Sequence, residues 1–267
     1  MEINRSNIYD LVEKCQLKPD KDYGQNFLIE PSIAKRICEY LDIDEYDHLL
    51  EIGPGLGSLT HFLVHKCYQF NVCDIDSRMI DFLKIIYKAD VDYILDDIRK
   101  VDISMFDKII GNLPYNITTE LVTYLLLNSW NTKTMVLMCQ LEAYNRFADL
   151  SGENYGPVSV LLHLLGCIEK LLVVKPGSFY PAPKCNSVVF RINLNRDADL
   201  ETATKVYKFA KSLFLNRRKT IYNNLKNYLS SADKANEILN KLGIPQNLRP
   251  ENISPEIYLK MYLEIQK

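Results

Sequence analysis

The stretch Leu50-Glu51-Ile52-Gly53-Pro54-Gly55-Leu56-Gly57 decides how the rest of the chain is read. Its apolar start reads as the end of a buried strand, and its glycines as a tight turn into a helix. Short runs rich in β-branched residues flank it, at 48–52, 70–75, 93–95, 108–110, 134–139, 170–174 and 187–193. Segments with helical spacing alternate with them, at 31–41, 59–66, 79–88, 119–128, 142–149 and 158–166. In the first of these, Ile33, Ile37, Tyr40 and Leu41 form one apolar stripe. Such alternation predicts an α/β, Rossmann-like sheet, mainly parallel, with helices on both faces. Ligands of these sheets bind outside the carboxyl ends of the strands, where the glycines lie. The alternation stops near Asn195. Residues 195–200 are polar and turn-like, and helical patterning punctuated by Gly243, Pro245 and Pro250 follows. The expected organisation is a ligand-binding domain over 1–195 and a small α-helical domain over 199–267.

The composition is that of an ordinary globular protein, with 47% hydrophobic and 25% charged residues. No apolar run approaches the roughly 20 residues of a membrane span. The first residues lack the basic-then-apolar pattern of a secretory signal. A cytoplasmic protein without a membrane partner is expected. The seven cysteines, at 15, 38, 67, 73, 139, 167 and 185, form no C-x-x-C pair. They read as buried thiols rather than a disulfide framework or zinc site. His61 and His65 have i, i+4 spacing on an expected helix, but no third ligand accompanies them. No metal is expected. The net charge of −2 argues mildly against a nucleic-acid partner, although clustered charge outweighs a total.

The glycine turn is shared by proteins that bind dinucleotides and by those that bind S-adenosylmethionine. Two features favour the second. The spacing is G-x-G-x-G rather than G-x-G-x-x-G, and Glu51 precedes it. A carboxylate there suits a ligand that carries a sulfonium and an ammonium group and no phosphate. Asp74 and Asp76 follow about 20 residues later, at the end of the second expected strand, where a carboxylate can accept both ribose hydroxyls. Asp97 ends the third strand region. It can reach the adenine amino group of the cofactor, or it can simply cap the next helix. Both readings stay open.

A second motif, Gly111-Asn112-Leu113-Pro114-Tyr115-Asn116, follows the fourth expected strand and so shares the carboxyl edge with the glycines. Its residue types suit methylation of a planar amino nitrogen. The N6 lone pair of adenine is delocalised into the ring and is a weak nucleophile. Two acceptors on its N–H protons pull the nitrogen toward pyramidal geometry. The Asn112 side-chain carbonyl and the Leu113 backbone carbonyl are the candidates. Pro114 rigidifies the turn, and Tyr115 offers a face for an extruded base. The alkylated nitrogen is acidic, so positioning suffices and no strong base is required.

With these motifs in hand, the sequence resembles the KsgA (RsmA) family of small-subunit rRNA adenine dimethyltransferases. The related erythromycin-resistance (Erm) rRNA methyltransferases are also similar. The resemblance runs nearly end to end, through Gly24-Gln25-Asn26-Phe27-Leu28, Glu51 to Gly57, Gly111 to Asn116, Tyr155-Gly156 with Ser159, Phe179-Tyr180-Pro181-Ala182-Pro183-Lys184 with Ser187, and Arg217-Arg218-Lys219. It implies a class I methyltransferase sheet and S-adenosylmethionine as cofactor. It also implies that Gln25, Asn26 and Leu28 lie in a loop closing over the cofactor. Gly53 and Gly55 would line its methionine side, Asp74 would hold the ribose, and Asp97 would meet the adenine. Tyr115 would stack on one face of the target base, and Phe179 could flank the other; read without the family, Phe179 is equally a core residue. The chain departs from the family at Gln140-Leu141-Glu142, where a lysine is usual in the middle, and at Cys185-Asn186, where Val-Asp is usual.

No acidic residue occurs between Lys205 and Asn227, while Lys205, Lys208, Lys211, Arg217, Arg218, Lys219 and Lys226 do. The lysines recur at helical spacing beside Val206, Phe209 and Leu213. Such a face binds phosphates in an RNA-modifying context and is otherwise merely solvated. The expected activity is N6 dimethylation of two adjacent adenines near the 3′ end of 16S rRNA, by a monomer acting on an immature small ribosomal subunit. Leu113 and the segment Leu248-Arg249-Pro250-Glu251-Asn252-Ile253-Ser254 favour this over an Erm-type 23S rRNA methyltransferase. An assembly factor acting mainly by binding is the alternative of another class.

Overall fold

The computed structural model describes residues 1–14, 19, 24–195 and 199–267. Cys15 and residues 196–198 of the expected linker lie outside them. In chain order the elements are α1 (Ile8–Lys14), β1 (Phe27–Leu28), α2 (Pro31–Glu39), β2 (His48–Ile52), α3 (Thr60–Leu63), β3 (Gln69–Asp74), α4 (Ser77–Tyr87), β4 (Asp92–Leu95), β5 (Lys108–Asn112) and α5 (Thr118–Asn128). Then follow β6 (Thr134–Gln140), α6 (Leu141–Ala148), α7 (Pro157–Leu165), β7 (Gly166–Val174), β8 (Phe179–Tyr180) and β9 (Ser187–Leu194). The chain closes with α8 (Leu200–Phe214), α9 (Ile221–Leu229), α10 (Ala232–Lys241) and α11 (Pro255–Ile265). The expected α/β sheet is present, seven strands in the order β4-β3-β2-β5-β6-β9-β7. β4 to β6 are parallel to their neighbours, and β9 is antiparallel to β6.

The central strands read as continuous apolar runs because both faces are covered. Leu49, Leu50, Ile52, Val72, Ile109, Ile110 and residues 135–139 are all buried. Each such side chain contributes about 1.5–3 kcal/mol by leaving water. The chain runs from β2 outward through β3 to β4, then returns to β5 on the other side of β2. That reversal opens a crevice beyond the carboxyl ends of β2 and β5. Gly111 allows the two strands their close approach there. It pairs with Ile52, and a Cβ on it would lie 2.6 Å from the Ile52 carbonyl oxygen.

The chain packs as two compact units, residues 1–143 with 168–194, and residues 144–167 with 195–267. The second unit resumes at Asn195, and the expected first domain of 1–195 includes α7. By packing, α7 belongs with the C-terminal helices. It is buried on most sides, and its Val160 shares a core with Val206, Phe209, Leu213, Leu239 and Tyr258. The apolar stripe expected on α8 is that core's centre. Side chains cap these helices: Asp199, Thr220 and Ser231 each accept a backbone N–H of α8, α9 or α10.

One expected helix is much shorter than its pattern. α3 ends at Leu63, because Val64 turns extended and His65 takes a φ of 64°. His61 and His65 therefore do not share a helical face. His61 faces the Met1 amine and the Phe62 ring, and His65 lies 3.8 Å from Asp90. No helix among the described residues is long and apolar enough to cross a membrane, and no cysteine among them is in a disulfide.

Candidate functional site

The crevice beyond β2 and β5 is a cavity of about 280 Å³ within the first unit. Its walls bring together Gln25, Asn26, Leu28, Glu51, Gly53, Gly55, Asp74, Asp97, Asn112, Leu113, Pro114 and Tyr115. Residues far apart in sequence meet here because β2, β3, β4 and β5 all end at one edge. The glycines serve the turn directly. Gly53 and Gly55 have φ of 65° and 54°, which side chains disfavour. A Cβ on Gly55 would also meet the Phe27 ring at 3.0 Å.

Phe27 and its neighbours form the opposite wall. β1 pairs antiparallel with β8, Phe27 with Tyr180 and Leu28 with Phe179. Ser58 donates to the Leu28 carbonyl at 2.7 Å, tying that wall to the end of the glycine turn. Gln25 donates to Asp76 at 3.0 Å. Asp76, not Asp74, is thus the carboxylate consumed by structure. It caps α4 and takes three bonds from Arg78. Burial opposes its ionisation, but the bonds from Arg78 and Gln25 outweigh that and hold its carboxyl below the usual range.

The other two carboxyls beside the glycines are pushed the opposite way. Glu51 is buried at 1% exposure, accepts a bond from Thr60 at 2.7 Å, and is raised by burial to about 8. Asp74 is raised by burial to about 6, although the backbone N–H groups of Asp76 and Gly55 partly offset this. Two carboxyls held near neutrality in a small cavity favour a cation, which would draw them into the ionised form. Asp97 is a cap that also borders the cavity. It caps the 3-10 turn Ile98–Lys100 and grips Arg99, whose hydrogen bonds hold it below the usual range.

Asn112 ends β5. Its Nδ2 donates to the Asn26 carbonyl oxygen at 3.0 Å, which fixes which end of the amide is which. Its Oδ1 is buried and has no hydrogen-bond partner among the described residues. A buried acceptor without a donor is costly unless a ligand supplies one. Leu113 N–H continues the ladder to the Met138 carbonyl at 2.9 Å, and Thr118 occupies the Pro114 carbonyl at 2.9 Å. The Tyr115 hydroxyl lies 3.1 Å from the Ser187 Oγ, and burial pushes its pKa up to about 12. Gly24, with φ of 63°, packs over this turn, where a Cβ would lie 3.5 Å from Tyr115 N.

Phe179 does not join this group. It is 3% exposed and packs in the core of the first unit, as does its strand partner Leu28. Of its two open readings, the core one describes this structure. In the second unit, Lys205, Lys208, Lys211, Arg218 and Lys219 are exposed. Lys205 pairs with Glu201 at 2.5 Å. Arg217 differs from the rest. It bonds Glu251 at 3.1 Å and the Gly152 carbonyl at 2.6 Å, with its guanidinium 5.9 Å from the centre of the Phe214 ring. Its first duty is to staple two loops of that unit. Sequence reading had no signal for Thr60 beneath Glu51, nor for the pairing of Tyr115 with a serine far along the chain.

Comparison with known proteins follows the same lines. Residues 16–267 match the family model for ribosomal RNA adenine dimethylase. The chain is 38% identical over 256 residues to "Ribosomal RNA small subunit methyltransferase A" of Malacoplasma penetrans (strain HF-2), covering 94% of this chain and 93% of that one. The protein of the same name from Fusobacterium nucleatum is 31% identical, over 92% of this chain and 97% of its own. Among solved structures, a dimethyladenosine transferase from Plasmodium falciparum superposes with a TM-score of 0.78 at 26% identity, covering 90% and 97%. The 23S rRNA methyltransferase ErmE shares the fold, with a TM-score of 0.71 at 21% identity, covering 91% and 100%.

Proposed function

The chain belongs to the ribosomal RNA adenine dimethylase family, and on that footing we propose that it dimethylates N6 of two adjacent adenines near the 3′ end of 16S rRNA, using S-adenosylmethionine. The observation that carries this reading is the buried Asn112 Oδ1, without a partner among the described residues and with its orientation fixed by the Asn26 carbonyl, beside a glycine-turned cavity holding two raised carboxyls. The residues fit the cofactor: the glycine turn gives a backbone cradle, and Glu51 and Asp74 suit a ligand with cationic groups. When bound, S-adenosylmethionine supplies an electrophilic methyl group on a sulfonium.

The chain's own residues do the rest. Gly53, Gly55, Gln25, Asn26 and Leu28 form the walls around the cofactor. Asp74 holds its ribose, and Asp97 meets its adenine with whatever acceptor capacity Arg99 leaves. Asn112 Oδ1 and the Leu113 carbonyl accept the two N6 protons of the target adenine. The lone pair then turns out of the ring plane and becomes nucleophilic. Tyr115 carries the base, and Pro114 keeps the turn rigid. After transfer the N6 proton passes to water. Positioning and preorganised acceptors supply the rate. Tyr115 is the aromatic wall of the base site, since Phe179 is in the core.

RNA phosphates meet Lys205, Lys208, Lys211, Arg218 and Lys219 on the helical unit, with Arg217 as their structural neighbour. The natural substrate is an immature small ribosomal subunit, met in the cytoplasm by a monomer. Residues 1–195 supply the cofactor and base sites, and 199–267 supply the RNA-binding helices. The test offers purified protein and labelled S-adenosylmethionine two substrates: unmethylated small subunits and naked large-subunit rRNA. Mass spectrometry maps the product. Dimethyladenosine at the 3′ end of small-subunit rRNA is the expected result. Label in large-subunit rRNA alone would replace this reading by an Erm-type one. Binding without label would make the chain an assembly factor.

A further inference from the structure

Tyr115 is half-buried and its hydroxyl lies 3.1 Å from the Ser187 Oγ. Ser187 is fully buried and opens β9. Because β9 runs antiparallel to β6, with Ser187 opposite Gln140, its first residue reaches the carboxyl edge of the sheet. That edge is where Asn112 ends β5. An antiparallel strand is the one kind that can bring its opening residue to this edge. A stacking platform needs only a ring, and phenylalanine would offer the same face. The hydroxyl is therefore available for a different purpose. A bond at the far end of the ring anchors its tip and so fixes the first side-chain torsion, and the preference of a phenolic O–H for the ring plane biases the second.

We propose that Ser187 is a positioning residue that, through the Tyr115 hydroxyl, anchors the ring on which the target adenine rests, and that this matters most for the second methyl group. The inference rests on the adenine-N6 reading above. An unmethylated amino group presents two N–H protons to two acceptors, Asn112 Oδ1 and the Leu113 carbonyl. Each transfer forms one N6–C bond as the methyl–sulfur bond breaks, with the bonding pair left on sulfur and one N6 proton shed to water. The monomethylated nitrogen therefore offers a single N–H. One of the two bonds that orient the base is lost, and stacking must hold a larger share of its alignment. The ring also faces the positive charge that spreads into the adenine during transfer, an interaction that depends on ring placement.

The test compares wild type, Ser187→Ala, Tyr115→Phe and the double variant on unmethylated small subunits. Mono- and dimethyladenosine are quantified by mass spectrometry at equal total methyl incorporation. This ratio does not depend on the fraction of enzyme folded. Loss of one neutral hydrogen bond is expected to raise the monomethyl share about fivefold in Ser187→Ala. Tyr115→Phe should give the same rise, and the double variant no more, because both remove one bond. Affinity for S-adenosylmethionine should stay within about twofold of wild type, measured by calorimetry. Ratios equal to wild type in both single variants, or effects that multiply in the double variant, would overturn the role of Ser187 while leaving the activity standing. A wild type that leaves N6 unmethylated would overturn both.

Discussion

The cavity in the first unit and the basic stretch of the second are built on opposite plans. In the cavity, almost every proposed residue is held by another: Asn112 by Asn26, Gln25 by Asp76, Glu51 by Thr60, Tyr115 by Ser187. On α8 and the turn after it, Lys208, Lys211, Arg218 and Lys219 extend from an exposed face. The first arrangement fixes single atoms, as chemistry requires. The second accumulates charge, which suffices for a phosphate backbone. Substitutions in the cavity should therefore be large and specific, and those on the helix small and additive.

The sharpest way to break that contrast is Asn112→Ala. It removes the acceptor and should lower kcat by about 10²–10³-fold, while calorimetry finds S-adenosylmethionine still bound. A loss of only a few fold would place the chemistry elsewhere. Gly55→Val comes next. A side chain there must adopt a disfavoured φ and displace Phe27, so affinity for S-adenosylmethionine should fall about 10–100-fold by titration.

The pH dependence of cofactor binding sharpens the same comparison. Glu51 and Asp74 sit at about 8 and about 6 in the ligand-free cavity, and a cationic ligand binds their ionised forms. Binding therefore releases protons. Affinity should weaken as pH falls through 8 and again through 6, by up to about tenfold per pH unit while one group titrates, and level off above 8. Calorimetry in two buffers of different ionisation enthalpy counts the protons; equal heats in both would refute the linkage. For the ligand-free fold the sign is the reverse. Glu51 holds its proton more tightly folded than unfolded, so stability declines as pH rises from 4.5 toward 8.

The smallest effects belong to the helical unit. Lys208→Ala and Lys211→Ala should each weaken RNA binding about 2–5-fold and reduce the salt slope by about one, with melting unchanged. Arg217→Ala should lower the melting temperature instead, by several degrees, because it breaks a half-buried pair with Glu251. If Arg217 behaves like the lysines, the division between staple and phosphate binder fails.

What was legible in the sequence was what is local. The glycine turn, the Asn112 turn, the carboxylates ending β3 and β4, and the apolar stripe of α8 each announce themselves within a few residues. What was hidden depends on distant partners. The pattern at 59–66 satisfies a helix, yet the chain leaves it after Leu63. Nothing near Phe179 says that its ring packs in the core of the first unit. α7 carries no mark of which unit it packs with, since a helix buried on most sides lacks a directional stripe. Asp97 could be read two ways because a cap and a cavity wall ask for the same side chain.

Gly111 bears on one further matter, that of calibration. Ile52 leads directly into the cofactor turn and Gly111 directly into Asn112, and the two are in register with no room for one methyl group between them. The span from donor to acceptor is thereby gauged by a hydrogen atom. Methyl transfer tolerates little error in that span. Any other residue at position 111 acts as a shim, widening the gap between two loops that are each individually intact.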